Sequence, residues 1–302
     1  MLRDECLMGF DKRTFCIYEV SQKNSLLAGV LTEFDLSDLN SHVLLPHESV
    51  SVSHAMKLKK YVTQKQFVLP PSLLIGPLDI NLFAWRTASE KVASWENESD
   101  KSEHSIYLIK CDSINQQLYN LLSNKQDWLI ADGHHRVFAA KQLHSSQRKL
   151  MVWLTAKEDV VVKSFTLQVK ISTPLHMQTL VKHLAQFGIV ECDKKLADYA
   201  LVNKDKTRYF SLHGNNADSY RIQTQLRQAL CKLPQFVSLV PSSISTTSED
   251  ALTITVSCRD PYIEDIFAAA KAGKYFPEKS TLFTHKADSR VLDYLNQQAV
   301  CA

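Results

Sequence analysis

Apolar residues recur along this chain with two different periods, and the switches between them lay out its elements. Phe15 to Val20 and Leu26 to Phe34 alternate or run apolar around the polar Ser21-Gln22-Lys23-Asn24, which predicts a β-hairpin. Val43-Leu44-Leu45 reads as a short strand, and Ser53 to Gln64 as a helix ended before Pro70-Pro71. Ser72 to Ile75 and Ser105 to Cys111 predict two further strands. The interval from Arg86 to His104 is polar and charged, with Trp95 alone among Glu, Asn, Asp and Ser. It reads as a partly helical surface excursion or lid. Ile114 to Leu122 has helical spacing, Trp128 to Ala131 reads as a buried strand, and Val137 to Leu143 as an Ala-rich helix. Leu150 to Leu154 and Val160 to Ile171 return as strands.

From Pro174 onward the pattern changes. It predicts a helix over Leu175 to Phe187, strands over Tyr199 to Asn203 and Arg208 to His213, and a helix over Tyr220 to Leu233. A Ser/Thr-rich loop from Pro241 to Asp250, a strand from Leu252 to Cys258 and a helix from Ile263 to Ala272 follow. Ser172-Thr173-Pro174 supplies a turn and a helix start. The expectation is an α+β protein with lobes at 1–172 and 173–302, the second an α/β lobe, and with Lys279 to Phe283 folding back to the first.

The densest chemistry lies at Asp132-Gly133-His134-His135-Arg136, between the Trp128 strand and the Val137 helix. A glycine turn feeding a helix start presents unpaired backbone N–H groups and the positive end of the helix dipole, which favours an anion. Two imidazoles and a guanidinium beside it suggest phosphate. Asp132 acting simply as an N-cap, with solvated basic neighbours, is the plainer explanation. Adjacent His residues on one helical turn point apart, and no Cys or His pair stands at ligand spacing, so a metal site is not expected.

His47 and Glu48 follow a strand end at Pro46, where an imidazole and a carboxylate suit proton removal from a substrate hydroxyl. An exposed polar loop is the competing explanation. Lys279, Ser280 and Thr281 offer further anion contacts but lack a Walker-type glycine frame, and ordinary turn chemistry explains them about as well. His54, His104, His144, His176, His183, His213 and His285 show no mutual ligand spacing.

Composition narrows the classes. Lys plus Arg total 35 and Asp plus Glu 32, a net charge of +3 that gives no electrostatic footprint for nucleic acid. The seven cysteines are scattered without Cys-x-x-Cys spacing, as reduced thiols rather than a disulfide framework or a zinc site, with Cys16, Cys111 and Cys258 in strand-like core runs. No stretch approaches the ~20 apolar residues of a membrane-spanning helix, and Asp4 and Glu5 break any signal-peptide pattern, so a soluble intracellular protein is expected.

The run from Ala131 to Arg136 resembles the Asp-Gly-His-His-Arg signature of the bacterial domain-of-unknown-function family numbered 1015. Leu44-Leu45-Pro46-His47-Glu48 is similar to that family's Pro-His-Glu block. Ala272 to Phe283, containing Pro277, Lys279, Ser280, Thr281 and Phe283, is similar to its Gly-x-x-x-Pro-x-Lys-Ser-Thr-x-Phe block. Family members carry further residues upstream, and a Lys followed by an Asp-Arg pair where this chain has Ala55-Met56-Lys57-Leu58. An N-terminally shortened, partly diverged member is therefore expected. The signature is also similar to the phosphate-binding helix start of the ParB and sulfiredoxin superfamily, which includes a free serine kinase.

These resemblances imply a ParB/sulfiredoxin-like lobe over 1–172 in a bacterial cytoplasmic protein that binds a nucleotide or phosphorylated small molecule, ATP or ADP, with Mg²⁺ as a candidate companion. Gly133, His134, His135 and Arg136 would hold phosphate, with Lys279, Ser280 and Thr281 assisting. Asp132 would orient a histidine or bind the cation, His47 would assist, and Glu48 would be the base in phosphoryl transfer to a small hydroxylated acceptor. The alternative is a non-catalytic phosphate-ligand sensor, or a degenerate binding or assembly protein.

Overall fold

The computed structural model describes residues 15–23, 25–35, 42–65, 69–124, 126–143, 149–203, 206–213, 217–242 and 252–295. Cys6, Cys301, His144, the Asp4–Glu5 pair and residues 243–250 of the expected Ser/Thr-rich loop lie outside them. The chain is α+β and divides into two compact units. One comprises 1–46, 50–160 and 285–302, and the other 47–49 and 161–284.

In the first unit the alternating segments become β1 (Cys16–Gln22) and β2 (Ser25–Asp35), an antiparallel hairpin that pairs Cys16 with Leu31 and Gln22 with Ser25. β3 (His42–Pro46), α1 (Val52–Lys65) and β4 (Ser72–Gly76) follow. Next come α2 (Leu82–Thr87), β5 (Glu90–Glu96), β6 (Glu103–Leu108) and α3 (Asp112–Ser123). β7 (Gln126–Asp132), α4 (His134–Lys141) and β8 (Lys149–Ala156) complete the series.

The eight strands form one sheet in the order β3-β7-β4-β8-β2-β1-β6-β5. β3 runs parallel to β7 and β4 parallel to β8, while the other pairs are antiparallel. Parallel pairing matches Pro46 with Ile130, so β3 and β7 end on the same side of the sheet. Leu74, Trp128, Ile130, Val152 and Leu154 from the sheet pack with Ile114 and Leu118 of α3 and Val137 and Ala140 of α4. Each large apolar side chain so buried contributes roughly 1.5–3 kcal/mol, which fixes the end of β7 and the start of α4 firmly.

The expected excursion at Arg86–His104 is instead the end of α2 and the β5–β6 hairpin, with Glu96 opposite Glu103. Its polar composition suits an edge strand, where only one face meets the core. Trp95 is not stranded there. Its ring stacks on His104 and Tyr294 at 5.2 and 4.6 Å, and its Nε1–H donates to Asp288 Oδ2 at 3.2 Å. The segment from His285 thus returns to the first unit, where the Asp288 N–H also donates to the Tyr18 hydroxyl at 3.0 Å.

The second unit is built on a six-stranded antiparallel sheet ordered β11-β13-β12-β15-β10-β14. The expected Val160–Ile171 strand is broken into β9 (Val162–Ser164) and β10 (Thr166–Ile171). α5 (Met177–Ala185), β11 (Ile189–Glu191), β12 (Tyr199–Asn203) and β13 (Lys206–Leu212) follow. α6 (Ser219–Cys231), β14 (Phe236–Ser242), β15 (Thr253–Cys258), α7 (Ile263–Lys271) and β16 (Thr281–Phe283) complete it. β16 pairs with β9, setting Thr281 opposite Ser164. Leu180 and Leu184 of α5 and Ile222, Leu226 and Leu230 of α6 fill one core with Val169, Leu201, Phe210 and Val256 of the sheet.

Cys16 is buried, but Cys111 is half-exposed at the N-cap of α3 rather than in a strand core. No helix among the described residues is long and apolar enough to cross a membrane.

Candidate functional site

Five of the sequence-predicted residues meet at the end of β7. Trp128, Leu129, Ile130 and Ala131 are buried, and the strand stops at Asp132. Gly133 then takes φ 92°, the left-handed conformation that glycine adopts without penalty, and α4 begins at His134 with no side chain capping it. The first-turn N–H groups of α4 lack intrahelical partners by the geometry of any helix start.

Space at Gly133 is as tight as its backbone is unusual. A Cβ there would fall 2.5 Å from Ser72 Oγ and 2.8 Å from Arg136 Nε. Gly133→Ala is therefore expected to cost about 2–4 kcal/mol, combining left-handed strain with a clash. A urea midpoint equal to the wild type's would refute that. Ser72 is fully buried and its Oγ has no hydrogen-bond partner among the described residues. A buried hydroxyl left unsatisfied calls for an explanation.

Arg136 is already engaged. Its Nη1 donates to the Pro70 and Pro71 carbonyls at 3.1 and 2.9 Å, and its Nη2 to Asp132 Oδ2 at 2.5 Å. Asp132 accordingly pairs with Arg136 across one helical turn. Substituting Arg136 would remove fold contacts along with any ligand contact.

The Ser51 N–H donates to His135 Nε2 at 3.1 Å, and the His54 ring meets that of His135 edge-on at 4.6 Å. An N–H cannot accept, so Nε2 is the acceptor and the proton of the neutral ring sits on Nδ1. His134 opens the helix and is half-buried.

The remaining predicted residues come together in the second unit. The Phe276 N–H donates to the His47 carbonyl at 2.7 Å, and a bridge between Glu48 and Phe276 attaches residues 47–49 there. His47 is 1% exposed, and its ring meets Phe283 edge-on at 5.4 Å. Thr281 Oγ1 donates its single hydrogen to Glu48 Oε1 at 2.7 Å, so the 2.8 Å contact with His47 Nε2 is a donation from the imidazole. The result is a directed chain from His47 through Thr281 to Glu48. Burial raises the Glu48 pKa above the ordinary carboxylate value, and donors at Thr281 and Lys279 only partly oppose it. A carboxylate made more basic in this way suits general-base work.

Lys279 takes φ 52°, and its N–H points at Glu48 Oε2 from 3.5 Å, a long contact. Ser280 is buried, its Oγ without a hydrogen-bond partner among the described residues. Arg227 of α6, which the sequence reading missed, donates from Nη2 to the Lys279 carbonyl at 3.0 Å. An arginine on an amphipathic helix carries no sequence signal for such a role. Among the described residues, no group of three or more His, Cys, Asp or Glu is placed to hold a metal ion.

Three comparisons set the chain beside known proteins. In overall fold the chain is similar to SbnI with C-terminal truncation from Staphylococcus aureus, at 11% identity and TM-score 0.54, over 89% of this chain and 94% of that one. A mutant free serine kinase in complex with ADP aligns at 15% identity and TM-score 0.44, over 90% of this chain and 96% of that one. No curated protein matches the sequence. The family model described as "Protein of unknown function (DUF1015)" matches residues 1–234, spanning the β3 end and the Asp132–Arg136 turn but not the Lys279 block. The chain belongs to the DUF1015 family.

Proposed function

We propose that the β7–α4 turn binds the phosphate of a nucleotide or of a phosphorylated small molecule. The observation that carries this reading is the left-handed Gly133 opening an uncapped helix start beside the buried, unpartnered Ser72 hydroxyl. Backbone N–H groups aimed at an anion at the positive end of a helix, with a hydroxyl nearby, are what a phosphate oxygen needs. Hydrogen bonds to a charged group are worth about 1.5–3 kcal/mol each. ATP or ADP fits this donor set. Mg²⁺ fits less well, because the Asp132 carboxylate is tied to Arg136.

Ligand binding to the native state alone raises apparent stability, by about 2.7 kcal/mol at a concentration 100 times Kd. A thermal-shift series with ATP, ADP, AMP, inorganic phosphate and phosphorylated metabolites is expected to raise the melting temperature for at least one nucleotide or sugar phosphate. No shift across the series would overturn the reading.

The finer reading is phosphoryl transfer to a small hydroxylated acceptor, with Glu48 taking the acceptor proton and His47 supporting it through Thr281. It rests on the raised basicity of Glu48 and on that hydrogen-bonded chain. A non-catalytic phosphate-ligand sensor is the second reading. The Asp132–Arg136 pair favours it, because a carboxylate so paired is a poor cation ligand.

A further inference from the structure

We infer that Arg227 is a positioning residue for Glu48, acting through the segment Lys279–Thr281; the inference rests on the reading of Glu48 as a base. Three observations within the second unit carry it. Arg227 fixes the carbonyl of Lys279, the residue whose own N–H faces Glu48 Oε2. Lys279 stands at φ 52°, which a lysine keeps only where its surroundings hold it. Two residues on, Thr281 delivers the 2.7 Å hydrogen bond to Glu48 Oε1. Anchoring Lys279 therefore places the donors that Lys279 and Thr281 present to the carboxylate.

The fold alone accounts poorly for Arg227. Its Nε is buried with no hydrogen-bond partner among the described residues, an arrangement that costs roughly 1–3 kcal/mol. Burial lowers its pKa, while the acidic groups around it, Cys258, Glu48, Cys231 and Glu278, oppose that shift. Glu48 in turn faces His47, Thr281, Lys279 and the like-charged Glu278. A guanidinium here favours the ionised carboxylate that burial disfavours.

The test reads the carboxyl group and needs no turnover. In wild-type protein carrying carboxyl-¹³C glutamate, the Glu48 resonance is assigned by its loss in Glu48→Gln. The Arg227 Nε–H and Lys279 amide resonances are then expected to shift with the same midpoint as the Glu48 carboxyl. In Arg227→Gln, melting cooperatively with native circular dichroism, the Glu48 midpoint should rise by about one unit, a tenfold gain in proton affinity. Arg227→Lys should restore most of that change. A Glu48 midpoint unmoved in folded Arg227→Gln, or a lack of co-titration in the wild type, would overturn the inference. Should Arg227→Gln fail to fold, the wild-type co-titration decides. A failure of the base reading looks different: Glu48→Gln would turn over normally while co-titration stays intact.

Discussion

Glu48→Gln is expected to lower phosphoryl transfer by about 10²–10⁴-fold while leaving the nucleotide thermal shift in place, the signature of a lost base rather than a lost binding contact. The amide keeps a carbonyl oxygen to accept from Thr281, so the local hydrogen bond survives and the change isolates proton transfer. Because burial raises the Glu48 pKa, wild-type turnover should climb with pH along a limb whose midpoint lies above the usual glutamate value of about 4.3. Labelled ATP or ADP with a panel of hydroxylated acceptors, serine among them, supplies the assay. Wild-type protein that binds nucleotide yet transfers no phosphate to any acceptor would sink the kinase reading and leave the sensor.

The largest stability effect should come from Asp288→Ala. The Asp288 carboxylate accepts from Trp95 Nε1 at 3.2 Å, Asn97 Nδ2 at 3.1 Å and Arg290 Nη2 at 2.8 Å, and its own N–H reaches the Tyr18 hydroxyl. That hydroxyl meets His104 Nδ1 at 2.7 Å, and His104 Nε2 meets Ser102 Oγ at 2.7 Å. Removing the acceptor takes three hydrogen bonds to a charged group from half-buried donors at once, so a loss of about 3–5 kcal/mol is expected in urea unfolding at neutral pH.

Burial pushes the Asp288 carboxyl up, but donors from Arg290 and Trp95 outweigh it and hold its pKa at about 2. A carboxyl depressed in the folded state contributes stability above its unfolded value of about 3.9, and that contribution fades as pH falls towards the folded value. The gap between wild type and Asp288→Ala should therefore narrow as pH drops from about 4 to about 2. Equal urea midpoints at neutral pH would disprove this role of Asp288.

The sequence was most legible where one periodicity reports one face. β1, β2 and β7, the helices α3 and α6, and the turn at Gly133 all follow from apolar spacing and a single glycine. β5 was hidden because an edge strand with Glu90, Lys91 and Glu96 exposed looks like a solvated loop, and its one large apolar residue, Trp95, finds its partners on β6 and near the C-terminus. β14, ending at Pro241 and Ser242, is likewise an edge strand, and β11 has three residues, too few for a period to show.

At the candidate site, residue types were readable but their engagements were not. The guanidinium of Arg136 looked available for phosphate, yet it spans Asp132 and two proline carbonyls. His135 looked like a cation, yet it accepts a backbone N–H. The proline carbonyls and the Ser51 amide leave no mark in local sequence because they lie far along the chain, whereas Asp132 stands only four residues before Arg136. The association of Glu48 with Thr281 was anticipated only as two motifs, 233 residues apart.

The return of residues 285–295 to the first unit bears on how the chain can fold as it is made. Tyr18 and Asp288 are 270 residues apart in sequence, and closing a loop of that length costs roughly 5 kcal/mol in chain entropy. β1, β2 and β6 can pair before that, but the contacts of Tyr18 and Trp95 with Asp288 must wait until residue 288 has been made. Slow, late closure of the N-terminal unit is expected, with a window for aggregation or chaperone capture before it. A chain truncated before residue 285 would lack Asp288 and Tyr294 and would leave Trp95 without the partners they supply.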